Sequence, residues 1–491
     1  HYARRWWILA LLGLAQLMVV LDATIVNIAL PHAQTALAFS NNDRQWIVTG
    51  YSLAFGSLLL LGGRIADLFG RKRIFIIGVI GFAAASAFGG AAQNFGMLLT
   101  GRVVQGAFGA LLAPATLSLL TTTFTHPADR TKALGIYGGI AGAGASVGLL
   151  LGGVLTEYLD WRWVMYVNVV IAAVALAGGL TLLKSVSVPD RPKLDLVGTV
   201  LAAVGLFLVV FGFSNASMAS GSSGWTEPAT LGTLIGGAVL LAVFVVVERR
   251  AAHPLLPLRV IIDRNRGGAY LAMFFSSIGL FGVFLFLTYY LEETLAYSAV
   301  KTGLAFLPVT LTLVVTAALG NIVLLSKVSA RILVPLGLLL SAVGMALLTR
   351  IGVQSNYAAD VLPSLLLLGV GLGLVFAPSF TLGTFGVKSD DAGVASATVN
   401  VAQQIGGSVG TSLLNTIATT AAASYLTVHA ASITSAASKQ LVQANALLSS
   451  YHTVFWVAAG IFAGAAVLIA FLLRSGIAVP SEDSEPAVHA G

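Results

Sequence analysis

The stretch "LGGRIADLFGRKRI", residues 61–74, has a fainter copy in "LGNIVLLSKVSARI", residues 319–332, which lies 258 residues further on. Two more pairs follow in the same order. "GALLAP" (109–114) is echoed by "GLVFAP" (373–378) and "GASVG" (144–148) by "GGSVG" (406–410), at separations of 264 and 262 residues. Three matches at nearly one spacing mark an internal duplication. Composition says what kind of unit is duplicated. The chain is 57% hydrophobic and only 9% charged, against roughly 25% charged in soluble domains. Apolar stretches of about 20 residues recur along it, each able to cross a hydrocarbon core ~30 Å thick. The expected class is therefore an all-α polytopic membrane protein. A β-barrel would show short alternating segments instead.

Fourteen spans are expected, near 6–29, 46–63, 74–92, 97–121, 132–156, 162–183, 195–214, 229–248, 268–291, 302–325, 332–349, 361–386, 393–420 and 453–473. With both ends of the chain placed in the cytoplasm, 20 of the 26 Lys and Arg fall inside, 5 fall outside and Arg102 falls within a span. That asymmetry follows the positive-inside rule. It also accounts for the net charge of +7 without any nucleic acid partner. The duplication maps the first six spans onto the last six and leaves two over. Both copies start on the cytoplasmic side, so they are parallel repeats about an axis along the membrane normal. The expected organisation is a six-helix bundle (1–188), a two-helix linker (189–262), a second six-helix bundle (263–474) and a disordered cytoplasmic tail (475–491). A cavity between two bundles that rock around it is the arrangement this predicts. The chain begins at His1, so its native start is expected to be missing, and its first apolar run is too long for a signal peptide.

Several chemistries are disfavoured. There is no cysteine, hence no disulfide or thiolate metal site. No span carries a His/Asp/Glu cluster with metal-ligand spacing, so no metal and no cofactor is expected. Neither a nucleophile motif nor a phosphate-binding glycine loop is present, which argues against an enzyme and against ATP as energy source. A membrane sensor would need a sizeable soluble domain, and the longest loops run to about 30 residues.

Of the charged residues, only Asp22, in "VVLDATIVNIALP" (19–31), and Arg102 lie well inside expected spans; Glu157 and Glu248 sit near span ends. Burying one such charge costs ~2.5–3.5 kcal/mol on the insertion scale. Both lie at similar depth, Asp22 ~12 Å and Arg102 ~10 Å below the outer helix ends at 1.5 Å per residue. They pair, or they share a water-filled cavity. One reading makes them a structural ion pair between the first and fourth spans. The other makes them a proton-coupling site, because a carboxylate moved away from an arginine into apolar surroundings gains a proton. The second half has no such charges: Leu325 stands in place of Asp67 and Leu366 in place of Arg102.

Two further patterns stand out. In the fifth span Gly144, Gly148 and Gly152, with Gly153 beside them, form a smooth stripe. Such a stripe serves close helix packing, or a sliding and sealing surface between the halves. In the loop "GGRIADLFGRKR" (62–73), Asp67 is an acid on the basic side. It is expected to dock at the positive N-terminal end of another helix, near Gly393.

Taken together, these motifs resemble the fourteen-helix drug:proton antiporter branch of the major facilitator superfamily, over nearly the whole chain. "LDATIVNIALP" is similar to the helix-1 motif of that branch, with Asp22 on its acid. "WIVTGYSL" (46–53) resembles its helix-2 motif. "GRIADLFGRKR" (63–73) matches the superfamily's signature loop, with Gly63, Asp67, Gly70, Arg71 and Lys72 in place. "LLTGRVVQGAFGA" (98–110) matches the helix-4 motif with Arg102, Gln105 and Gly106, and "LDLVGTVL" (194–201) resembles the entry to the two extra helices. "GASVGLLLGG" (144–153) resembles the antiporter motif, but Leu149 stands where that motif carries proline.

The resemblance implies a major facilitator fold with two extra linker helices and a signature loop that acts as a cytoplasmic latch. It also implies a single functional chain in the cytoplasmic membrane, exporting small amphipathic drugs or antibiotics against inward proton flow. One charge crossing ~100 mV yields ~2.3 kcal/mol, which supports roughly a fiftyfold gradient. The cavity is expected to draw on Asn27, Tyr51, Gln105, Asn168, Asn400, Gln403 and Gln404. With Asp22 almost alone among acids, neutral, zwitterionic or weakly charged compounds are favoured. A lipid exporter on the same scaffold is the alternative. The Ala- and Ser-rich stretch 421–450 is expected to be a long, partly helical outside connection, a linker or a lid.

Overall fold

The structure, a computed structural model, describes residues 2–39, 41–184, 195–218, 222–432 and 435–476. The expected tail, from residue 477 on, and the start of the expected linker, up to residue 194, lie outside the described residues. Among the described residues there are sixteen α-helices and no strand. This is what a lipid solvent demands, since every backbone N–H and C=O must be satisfied within its own segment.

The first six helices are α1 (Tyr2–Leu37), α2 (Asn41–Phe69), α3 (Arg71–Gly90), α4 (Phe95–Thr123), α5 (Pro127–Tyr158) and α6 (Trp163–Leu182). A helix pair follows, α7 (Leu196–Met218) and α8 (Pro228–Glu248), and then the short α9 (Leu258–Ile262). The remainder is α10 (Arg264–Tyr289), α11 (Ala299–Ala305), α12 (Leu307–Leu319), α13 (Ala330–Leu348), α14 (Leu362–Thr384), α15 (Ala392–Val428) and α16 (Ala436–Leu472). The α11–α12 pair makes a single span.

Among the described residues twelve helices are long and apolar enough to cross a membrane, or thirteen if α5, bent by 45° between Gly144 and Ser146, is one span. The expected fourteen is not reached. The remaining candidate is α15, which is helical throughout but is not among the apolar spans. Its Ser, Thr, Asn and Gln residues dilute the hydropathy. The stretch 421–450 is helical over most of its length. It is mostly a continuation of the flanking helices, α15 reaching Val428 and α16 starting at Ala436. Alanine is the best helix former, so an Ala-rich stretch extends helices rather than ending them. Residues 433–434 of it lie outside the described residues.

Between the first six helices and the last group, α5 packs on α11, α12 and α14, while α15 packs on α2 and α4. The α7–α8 pair leans on this seam, with α7 touching both α2 and α15. Arg4 on α1, the α2–α3 loop, the start of α10 and the end of α16 share one face, the basic face. Arg264, for instance, donates to Phe471 O at 2.6 Å.

Candidate functional site

The Asp22 side chain sits in a cluster built by five helices of the first half. Glycines let them approach. Gly101 and Gly106 flank Arg102 on α4. A Cβ at Gly101 would lie 2.9 Å from the Cα of Gly89, and one at Gly106 would lie 2.4 Å from Tyr51 O. Both contacts therefore need glycine, and they draw α3 and α2 against α4 on either side of the arginine. Arg102 and Gln105, three residues apart, share a helix face.

The Arg102 Nη1 donates to Asp22 Oδ2 at 2.5 Å and to Gln105 Oε1 at 2.7 Å. Gln105 Nε2 donates to Asp22 Oδ1 at 2.9 Å, and Asn168 Nδ2 on α6 donates to the same oxygen at 2.6 Å. Ser86 on α3 ties the ring together. Its Oγ accepts from Gln105 and Asn168, both at 3.1 Å, and donates to Met165 O at 2.7 Å. Tyr51 on α2 lies under the guanidinium, 4.3 Å from its carbon to the ring centroid. Asp22, Gln105, Asn168 and Ser86 are 0% exposed and Arg102 is 1% exposed. Arg102 Nε and Asn168 Oδ1 are buried without a hydrogen-bond partner among the described residues.

Asp22 and Arg102 therefore pair directly. Three donors and the ring of Tyr51 enclose the pair and bury it from solvent. Three of the expected cavity residues, Tyr51, Gln105 and Asn168, belong to this buried cluster. Asn27 is exposed, five residues beyond Asp22 on α1. Asn400 is turned back on its own helix and donates to Ser396 O at 2.9 Å. Gln403 and Gln404 are half-buried, and Gln404 packs against Gly56 of α2, at the seam between the halves.

On the basic face, Gly393 N donates to both oxygens of Asp67 at 3.1 Å. Arg71 Nη2 reaches Asp67 Oδ1 at 3.0 Å. Here the two chain halves touch backbone to backbone: a Cβ at Gly63 would lie 2.5 Å from Gly393 O. Gly70 turns the α2–α3 loop at φ +94°, a conformation that favours glycine. Lys72 does not bridge the halves. It donates to Leu183 O at 2.5 Å and Leu180 O at 3.3 Å, at the end of α6, where a cation meets the negative helix terminus.

Of the two readings of the glycine stripe, close helix packing describes three of its four glycines. Gly144, Gly148 and Gly152 face α1 within the same half, where added Cβ atoms would meet Val20, Thr24 and Ile25. The face turned to the other half carries Gly138 against Ala377, Gly139 against Val314, Gly142 against Leu313 and Gly153 against Val300. Two residues turn a helix by about 200°, so glycines two apart serve opposite neighbours.

Sequence reasoning missed Ser86, a lone serine in the small-residue run "AAASAFGG" (83–90), which carried no signal. It also missed a second buried chain, in which Tyr137 donates to Gln16 Oε1 at 2.8 Å and lies 3.0 Å from Thr116 Oγ1. Arg130, which donates to Thr384 O across the seam at 2.7 Å, was read only as part of the basic side.

An all-helical chain with many apolar spans, packed as two helix groups with a buried ion pair in one of them, defines a polytopic membrane protein. The chain belongs to the Major Facilitator Superfamily, whose family model matches residues 12–411. It is 49% identical over 431 residues to the puromycin resistance protein of Streptomyces alboniger, covering 87% of this chain and 85% of that one. It is 38% identical over 406 residues to the cephamycin export protein of Amycolatopsis lactamdurans, covering 82% and 83%. The tetracenomycin C resistance and export protein of Streptomyces glaucescens is 33% identical, over 84% of this chain and 76% of its own. Among solved structures, a superfamily proton:xylose symporter matches with a TM-score of 0.63 at 13% identity, covering 96% of this chain and 95% of its own. That likeness is one of fold.

Proposed function

We propose that this transporter exports amphipathic antibiotics in exchange for protons, as a single chain in the cytoplasmic membrane with both termini and the basic face inside. The observation that carries this is the fully buried Asp22–Arg102 pair. Its setting supports the export direction, since relatives at 49% and 38% identity are named for antibiotic resistance and export. Burying two charges is costly unless they are paired and fully hydrogen-bonded. A proton arriving on Asp22 cancels the charge that Arg102 neutralises. Arg102 then becomes the uncompensated group and must find water or another partner, so protonation and rearrangement go together. The contacts at Gly63, Asp67 and Gly393 are the closed inner gate of this cycle. Neutral, zwitterionic or weakly charged compounds suit a half-buried seam lined by amides such as Gln403 and Gln404.

The test is proton release on adding candidate antibiotics to sealed proteoliposomes, comparing the native chain with Asp22→Asn. The expected result is drug-dependent proton movement that vanishes in the variant while drug binding persists. Unchanged coupling in a folded Asp22→Asn protein would reduce the pair to a structural tie.

A further inference from the structure

The helix end that receives Asp67 already has an acid of its own. Asp391 occupies the N-cap position of α15, so Gly393 is the second helical residue. An N-cap Asp normally accepts from the amide of the second or third helical residue. Asp391 makes no such bond. Its carboxylate is turned away and held by Arg259 Nη2 at 2.6 Å. One of the two amides open to Asp391, that of Gly393, is bonded instead to Asp67, from the other half of the molecule.

Arg259 is not a free surface arginine in the sense of its backbone. It sits on α9, at the end of the strap that joins the α7–α8 pair to α10. The strap is fastened along its length. Glu248, at the end of α8, accepts from Leu255 N at 3.2 Å and Leu256 N at 3.0 Å. Leu255, Leu256 and Val260 are buried. Arg266 staples α9 to the end of α14, donating to Arg259 O and Val260 O at 2.8 Å and to Phe385 O at 3.1 Å. The other end of the pair bears on α2 and α15, the two helices that the Asp67 contact joins.

We propose that Asp391 and Asp67 compete for the Gly393 amide, and that Arg259 decides the competition by holding Asp391 away. While Arg259 grips Asp391, the helix end is left for Asp67 and the basic face stays shut. When the strap withdraws Arg259, Asp391 caps its own helix, Asp67 loses its partner and the halves part. Capping needs an extended ψ at Asp391, which now stands at 3°. The moving element is therefore the Ser389–Asp391 turn. The two linker helices acquire a task, coupling their position to the inner gate. The inference rests on the alternating-access cycle proposed above, but not on which ion drives it.

Spin labels test it, since the chain has no native cysteine. Labels at Arg73 and Phe385, both exposed, report separation across the basic face in nanodiscs. Asp67→Ala, which leaves no acceptor for the Gly393 amide, serves as the control for an open face. Arg259→Gln is expected to raise the open population about fivefold, the size of one N-cap. The second site then discriminates. Asparagine caps as well as aspartate, whereas alanine does not. Arg259→Gln/Asp391→Asn should remain open, and Arg259→Gln/Asp391→Ala should close again. If both double variants close, Arg259 only neutralises a buried charge and the competition is overturned. If both stay open, Arg259 acts without Asp391 and it is overturned equally. Should Asp67→Ala leave the face shut, the gate itself is misassigned, a failure separate from either of these.

Discussion

The two halves of the molecule share three short sequence motifs in the same order and differ in the charge they carry at matching positions. In the first half, position 102 is an arginine, 1% exposed and bonded to an acid. Its counterpart in the second half, Leu366, is 39% exposed. Asp67 reaches across to the second half, while its counterpart, Leu325, is buried at 0% exposure. At these two positions the first half carries the side-chain charges, and the second half answers Asp67 with a backbone: the Gly393 amide at the start of α15. A duplicated fold needs only one copy to hold ionisable groups, because each buried charge adds a cost that the partner copy can avoid.

Making the first half more like the second is the way to break this contrast. The largest effect is expected from Arg102→Leu. It strands Asp22 in a dry cluster, and removing one partner of a buried pair costs ~3–5 kcal/mol. Thermal unfolding in detergent should show a clear loss, and Arg102→Leu/Asp22→Asn should recover much of it. If the single variant is as stable as the native protein, the pair is solvated and the contrast with Leu366 loses its meaning. Next comes Asp67→Leu, which copies Leu325. It removes hydrogen bonds to a charged acceptor, worth ~1.5–3 kcal/mol each at most, from the closed state alone. Accessibility of a cysteine placed at Ala397, which packs under Gly63, should rise while the melting temperature changes little. The smallest effect is expected from Ser86→Ala. It leaves Asp22 with all three of its donors but takes a shared acceptor from Gln105 and Asn168, a loss of ~1 kcal/mol. Chemical denaturation would resolve it, and a loss as large as that of Arg102→Leu would mean that Ser86, rather than the ion pair, organises the cluster.

Much of the fold was legible in the chain. Apolar stretches locate spans because backbone groups in lipid leave a helix as the simplest solution. The acid at 22 and the arginine at 102 announce themselves because charges in such stretches are costly. Asp67 was readable as a docking acid because its loop lies on the side where a helix begins. Other features left no trace. Tyr51 and Asn168 are polar in many helices for many reasons, and only packing put both beside Asp22. The glycines of α5 look like one stripe until the two neighbours of the helix are known. Arg259 reads as one more cation of the basic side.

The sequence by itself determined the solvent this protein lives in, its duplicated plan and the few residues that carry charge at depth. Those follow from transfer free energies and helical rise, which act residue by residue. Only the tertiary structure decided which of those charges is dry, which glycine face meets which half, and that Asp391 has surrendered its own helix end to Asp67. Such outcomes depend on pairs of residues tens to hundreds of positions apart, held at hydrogen-bond distance by helices whose rotation no local pattern records.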